Sequence, residues 1–178
     1  EELFQIAQRS RVPFEATADL YGKMARSAGQ LGVSQREVLQ GTEGISKALI
    51  ISGASAEASN AALIQLGQAM GSGVLRGEEL NSVLEQAPRI AEMVAKGMGI
   101  QVSELRKLGE QGRLTSRAVF EAIQDQAQAV EDEFDRMPVT ISQATTVMRN
   151  SIFRFVGEQD SATGASRAMA EAILWVSD

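Results

Sequence analysis

The chain contains neither cysteine nor histidine. Without cysteine, disulfides and thiolate metal sites are excluded, and without histidine the commonest general base and metal ligand is missing. Aromatic residues make up only 4% of the sequence, so the core must be built from Leu, Ile, Val, Met and Ala. These absences argue against an enzyme, and we expect no metal and no cofactor.

Long apolar runs and an excess of basic residues are also missing. No run approaches the roughly 18 apolar residues that a membrane-spanning helix needs. The net charge is −6, from 17 basic and 23 acidic residues. Because binding to a phosphate backbone requires a basic surface, this balance argues against broad nucleic-acid binding. The composition therefore points to a segment with neither a membrane nor a specific nucleic acid as its partner.

What the sequence does contain is helical periodicity. Apolar residues recur at intervals of three and four, and alternation with period two is nearly absent. This pattern predicts an all-α fold, a compact bundle of about eight to ten helices. Helix caps are predicted at four hydroxyl residues, where a side-chain oxygen can accept from a free backbone N–H: Ser34, Ser55, Ser103 and Thr115. The longest helix is predicted to run from Thr115 to about Met137, before Pro138.

The C-terminal part of the chain is predicted to be separate. Gly157 to Gly164 is polar and is the best candidate for a boundary. The prediction is a helical domain over residues 1–157, followed by residues 158–178 as a polar loop and a helix that can stand detached. Since the sequence does not begin with methionine and residues 165–178 are amphipathic, we expect a piece of a longer protein.

The most informative stretch is the run from Gly71 to Pro88, a glycine-punctuated turn followed by a short amphipathic helix. We expect the chain to be organised around it. The core of the run reads Gly73-Val-Leu-Arg-Gly-Glu-Glu-Leu-Asn-Ser-Val-Leu-Glu-Gln-Ala-Pro88. It strongly resembles the N-terminal domain of phage and prophage tail tape measure proteins. The resemblance covers roughly Pro13 to Ala170, including Leu31 to Ser34 and Gly99 to Leu108.

The resemblance implies a structural protein of virion assembly, the internal ruler that sets tail length. It implies three groups of partners: tail tube protein, tail assembly chaperones, and distal tail or baseplate proteins. Self-association is left open. It implies a location inside the virion tail, and in the host cytoplasm during assembly. The domain is then a docking module, and we predict an exposed docking edge held to the core by Leu80, Val83 and Leu84. Its members are Leu75, Arg76, Gly77, Glu78, Asn81, Glu85 and Gln86.

Two other interpretations remain open at this stage. Residues 88–117 hold six basic and three acidic residues, and Ala95, Gly99 and Leu105 have helix-turn-helix spacing. A DNA-binding regulator would use Ser103 to Gly109, with Arg106 and Lys107 toward the groove. A cell-wall hydrolase would instead use clustered carboxylates as acid and base, and the candidates are Glu78, Glu79 and Glu85.

Overall fold

The computed structural model describes residues 1–75 and 77–160, and these residues form ten helices. In chain order they are α1 Glu2–Ser10, α2 Phe14–Leu31, α3 Gln35–Ile51, α4 Ala56–Gly71, α5 Gly77–Gln86, α6 Pro88–Gly97, α7 Val102–Glu110, α8 Ser116–Asp125, α9 Ala127–Phe134 and α10 Ile141–Asp160. No strand occurs within this described part, only an isolated bridge between Val74 and Thr115. The all-α prediction is confirmed. The predicted helix within residues 165–178 lies outside the described residues.

Local capping fixes the start of several helices. The Ser34 hydroxyl accepts from the Glu37 N–H at 3.3 Å, while the Glu37 carboxylate accepts from the Ser34 N–H at 2.7 Å. Ser55 and Thr115 each accept from the backbone N–H three residues later at 3.2 Å. These three predicted caps are confirmed. The fourth is wrong, because α7 starts earlier, after Gln101, and Ser103 lies inside the helix.

The predicted long helix from Thr115 is broken, which the periodicity did not indicate. Gln126 leaves helical geometry at φ −99° and ψ 0°, so α8 ends before it and α9 begins after it. Ile123 on α8 and Val130 on α9 both belong to the main core, whereas Phe134 at the end of α9 joins a small separate cluster with Val12 and Ile50. Within residues 1–75 and 77–160 the longest helix is α10, with 20 residues.

The fold is centred on α3 rather than on the stretch from Gly71 to Pro88, so that expectation is wrong. This helix packs against α1, α2, α6, α8 and α9, and every residue from Gly44 to Ile50 is buried. A Cβ atom added at Gly41 would lie 2.9 Å from the Phe120 ring, and one at Gly44 would lie 3.3 Å from Met93 Cε. Small residues on α3 therefore let its neighbours approach closely.

The C-terminal end of the described part differs from the prediction. Gly157 lies within α10, which continues to Asp160, so the expected polar loop does not begin at Gly157. Residues 161–164 of that loop lie outside the described residues. The division of the chain at residues 157 and 158 stays a prediction. What the structure adds is that α10 lies against α1 and α4, at the side of the bundle.

Candidate docking surfaces

The turn after α4 is joined to the loop between α7 and α8 by backbone hydrogen bonds. The Leu75 N–H donates to the Leu114 carbonyl at 2.8 Å, and the Ser116 N–H donates to the Gly73 carbonyl at 3.0 Å. Gly73 has φ +85°, a left-handed conformation that favours glycine. This pairing turns the Leu75 side chain inward, leaving it 2% exposed, just before α5 begins at Gly77. The prediction that Leu75 belongs to an exposed edge is therefore wrong.

The other members of the predicted docking edge differ in exposure. Glu85 is exposed, whereas Asn81 and Gln86 are half-buried. Arg76 and the side chain of Glu78 lie outside the described part of the structure. The residues predicted to hold this edge are all buried in the core: Leu80, Val83 and Leu84. The buried face of α5 thus agrees with the prediction, whereas the role of this helix in docking stays a prediction.

The segment with helix-turn-helix spacing forms a packed corner of α6 and α7. Arg106 and Lys107 are exposed on α7, as the DNA-binding interpretation requires. However, Arg89 is buried and its Nε donates to the Glu133 carboxylate at 2.7 Å, while Arg117 pairs with Glu121. The basic excess of this segment is thus partly neutralised by acidic residues beyond it. The DNA-binding interpretation is not favoured.

Charged residues tie α1, α3 and α9 together. Glu43 pairs with Arg9 at 2.9 Å and with Lys47 at 3.0 Å, and Lys47 also pairs with Glu131. The Lys47 side chain is only 3% exposed, so it needs these carboxylates to compensate for its lost hydration. Burial acts to raise the pKa of Glu43, but hydrogen bonds from Arg9 and Lys47 outweigh it and the pKa is lowered. This network of ion pairs joins α1, α3 and α9, and it keeps Glu43 ionised.

A concave surface lies along α10, where α1, α2 and α4 approach it. It encloses about 570 Å³. Three of the six phenylalanines of the chain line it: Phe4, Phe14 and Phe153. The rings of Phe4 and Phe14 are 5.9 Å apart, and the Arg149 guanidinium lies 5.3 Å from the Phe153 ring centre. We call this surface the aromatic groove.

Polar contacts hold α10 against α1 and the start of α2. The buried Asn150 amide donates to the Val12 carbonyl at 2.8 Å and accepts from the Phe14 N–H at 3.0 Å. Gln8 donates to the Ser151 hydroxyl at 2.7 Å. Hydrogen bonds of this kind fix the orientation of α10 while burying little apolar surface. These contacts therefore hold α10 in a defined position on the bundle, and the helix is not part of the hydrophobic core.

The outward side of α10 and the residues before it expose large apolar side chains. Ile141 is 88% exposed, Met148 58% and Phe155 52%, and Val139 just before the helix is 59% exposed. Sequence reasoning assigned no role to this helix and missed both the groove and the outward side. A signal was present, because its apolar residues occupy more than one face of the helix, which one packing partner cannot cover.

The family of the chain follows from comparison with known proteins. Residues 1–161 match the family model described as "Tape measure protein". The chain belongs to the tape measure protein family. No curated protein and no solved structure matches it.

The match of the tape measure domain includes every helix of the described part, the aromatic groove and the outward side of α10. The domain is a component of a phage tail, and its family is structural rather than enzymatic. Among the described residues, no helix combines the length and the apolar content that crossing a bilayer requires.

Proposed function

We propose that this tape measure domain is a docking module that acts in tail length determination and tail assembly. Its partners are tail tube protein, tail assembly chaperones, or distal tail and baseplate proteins. It works in the interior of the virion tail, and in the host cytoplasm while tails assemble. It carries no catalysis of its own.

The observation that carries this proposal is the aromatic groove. Aromatic and arginine side chains are enriched at protein interfaces, where they supply most of the binding free energy. The chain has few aromatic residues, yet Phe4, Phe14 and Phe153 converge on one open surface beside Arg149. Phe153 remains 51% exposed. A surface of this composition suits the apolar side chains of a partner protein, with the guanidinium group at its rim.

A capture experiment tests the proposal. The tape measure domain is immobilised, and purified tail tube, chaperone and baseplate proteins of the same phage are passed over it. We expect at least one of them to bind. Phe153→Asp should weaken that binding by about thirtyfold or more, since loss of a central aromatic contact costs about 2 kcal/mol or more. Binding by none of them would overturn the proposal.

Matched variants locate the contact. Ile141→Asp places the same charge on α10 but outside the aromatic groove, so capture should be unchanged. Glu85→Lys tests the edge predicted from the sequence. If Glu85→Lys abolishes capture and Phe153→Asp does not, docking uses α5, and the assignment to the groove is wrong.

A further inference from the structure

The face of α10 that borders the aromatic groove leads toward the segment of the chain that follows this helix. At intervals of three and four, α10 contributes five residues to the groove: Thr146, Arg149, Asn150, Phe153 and Arg154. The helix ends at Asp160, about 9 Å beyond Arg154 at the usual helical rise. Residues 161–178 come next and lie outside the described residues. The groove is therefore within short reach of these residues.

The sequence of residues 165–178 has one apolar face at helical spacing. At about 100° per residue, seven of its nine apolar residues fall within an arc of about 160°. They are Ala165, Ala168, Met169, Ala172, Ile173, Trp175 and Val176. The charged residues Arg167, Glu171 and Asp178 fall outside this arc. A face of this kind suits a groove between helices, where the apolar side of one helix is recognised.

We propose that segment 165–178 folds back as a helix antiparallel to α10 and occupies the aromatic groove of its own chain. Residues 161–164 form the connection, and antiparallel helices are commonly joined by about two to five residues. A helix over residues 165–178 is about 21 Å long, so it returns from Asp160 to the level of Val147. This stretch of α10 includes Arg154, Phe153 and Arg149, which line the groove.

Side-chain size favours this register. With the connection centred between residues 162 and 163, Ala168 lies level with Gly157, and Ala172 lies level with Phe153. Two small residues near the connection let the helices approach closely. Further along, the small Ala172 leaves room for the Phe153 ring, which is 51% exposed in the groove. The apolar face of the segment thus covers the most exposed ring of the groove.

Charge favours the same register. The carboxylates that line the groove stand on the walls across from α10: Glu1, Glu15 and Glu57. The α10 wall instead carries Arg149 and Arg154. In the antiparallel register Glu171 is level with Arg154, and Asp178 is within about 3 Å of the level of Arg149. Both carboxylates of the segment therefore fall beside arginines, whereas Arg167 falls nearer to the connection.

The covalent connection favours the chain's own segment over a separate molecule. A short connection gives the segment an effective concentration of about millimolar. The contact also avoids the loss of translational freedom that a separate partner incurs, so a small contact area suffices. A tail protein would have to displace the segment before it could bind the groove. This last consequence rests on the proposed docking function, whereas occupancy of the groove by the segment does not.

Tryptophan fluorescence of the full chain tests the occupancy, because Trp175 is the only tryptophan. In the wild type we expect blue-shifted emission that is protected from acrylamide and independent of protein concentration. Phe153→Asp should shift the emission to the red and remove the protection. Wild-type emission typical of an exposed tryptophan overturns the proposal. A blue shift that appears only as the concentration rises also overturns it, because it indicates contact between chains.

Phe155→Asp is the matched control. Phe155 is 52% exposed, two residues from Phe153, and lies on the outward side of α10. Its replacement should leave the emission of Trp175 as in the wild type. If Phe155→Asp exposes Trp175 and Phe153→Asp does not, the segment lies on the outward side and the proposal is wrong. If Phe153→Asp fails to fold by circular dichroism, Ile173→Asp serves in its place and should expose Trp175.

Cysteine cross-linking tests the register, helped by the absence of native cysteine. Under mild oxidation, Phe153→Cys combined with Ala172→Cys should form a disulfide within one chain, because only opposed Cβ atoms come within disulfide distance. Phe155→Cys combined with Ala172→Cys should not, and a preference for this second pair overturns the register. Capture of tail proteins separates the two proposals. A buried Trp175 without capture defeats the docking function alone, and an exposed Trp175 with capture defeats this inference alone.

Discussion

The helices around α3 and the helix α10 use apolar residues in opposite ways. Around α3 the large side chains are enclosed, and Phe120, Ile45 and Leu49 are 1% exposed or less. On α10 the large side chains Ile141, Met148 and Phe155 are open, and polar contacts attach the helix. The comparison teaches that enclosed apolar side chains stabilise the domain, and under the proposed docking function the open ones on α10 are available for recognition. Substitutions around α3 should unfold it, whereas substitutions on α10 should change what it binds.

The strongest test of this division compares two phenylalanines. Phe120→Ala removes a fully buried ring that packs against Gly41 on α3. We expect it to lower the free energy of unfolding by about 3–5 kcal/mol. Phe155→Ala truncates a ring that is 52% exposed and should change the free energy by no more than about 0.5 kcal/mol. Urea titration measures both.

Equal losses of unfolding free energy in the two variants would contradict the division between the helices around α3 and α10. They would mean that α10 contributes to the cooperative core and that its exposed rings are not free for a partner. A useful control is the slope of the free energy with urea concentration. An unchanged slope shows that both variants still unfold as the same unit.

The second test uses glycine. A Cβ atom at Gly97 would lie 2.3 Å from the Ala122 carbonyl oxygen, which is backbone and cannot rotate away. Since α6 and α8 would have to separate, we expect Gly97→Ala to cost about 1–3 kcal/mol, toward the upper end. Gly71→Ala at the end of α4 is the matched control, because nothing lies within 4 Å of an added Cβ. It should be neutral or stabilise by up to about 1 kcal/mol. Thermal unfolding followed by circular dichroism distinguishes the two.

The third test loosens α10 while leaving the core intact. Asn150→Ala leaves the Val12 carbonyl and the Phe14 N–H without their partner, which costs about 1–2 kcal/mol for buried groups. We expect faster amide exchange along α10 and unchanged exchange along α3. Hydrogen exchange read by mass spectrometry reports both helices in one sample. Acceleration in α3 as well would show that the two regions unfold together, contrary to the comparison.

Local features of the fold could be predicted from the sequence because their causes are local. The Ser34 cap depends on a residue three positions away, and the helix boundary at Pro88 depends on one missing N–H and a restricted preceding residue. Gly41 and Gly44 are different, because the sequence alone does not name Phe120 and Met93 as the side chains that approach them.

Features that depend on distant partners could not be predicted. Leu75 lies between Val74 and Arg76 in a glycine-containing turn and resembles an exposed loop residue, yet it is buried because its backbone pairs with Leu114, far along the chain. The break at Gln126 has no glycine or proline to signal it. The periodicity of the apolar residues continues across it, so the pattern alone predicts one helix. The aromatic groove combines residues more than 130 positions apart, Phe14 and Phe153 among them, so only the fold brings them together.

The smallest expected effect is the pH dependence set by Glu43, which joins the core helix α3 to α1. Its pKa is lower in the folded chain than in the unfolded one. The ionised carboxylate therefore stabilises the fold above the unfolded value of about 4.3, and this contribution is lost as the pH falls through the folded value. One carboxyl group adds at most about 1.4 kcal/mol per pH unit to the slope. Glu37, whose pKa is lowered by hydrogen bonds from Ser34, acts in the same range. Urea titrations at a series of pH values between neutral and acid measure this contribution. The free energy of unfolding should fall less steeply with decreasing pH in Glu43→Gln than in wild type. An identical loss would mean that Arg9 and Lys47 do not stabilise this carboxylate, and that apolar contacts alone join α1 to α3.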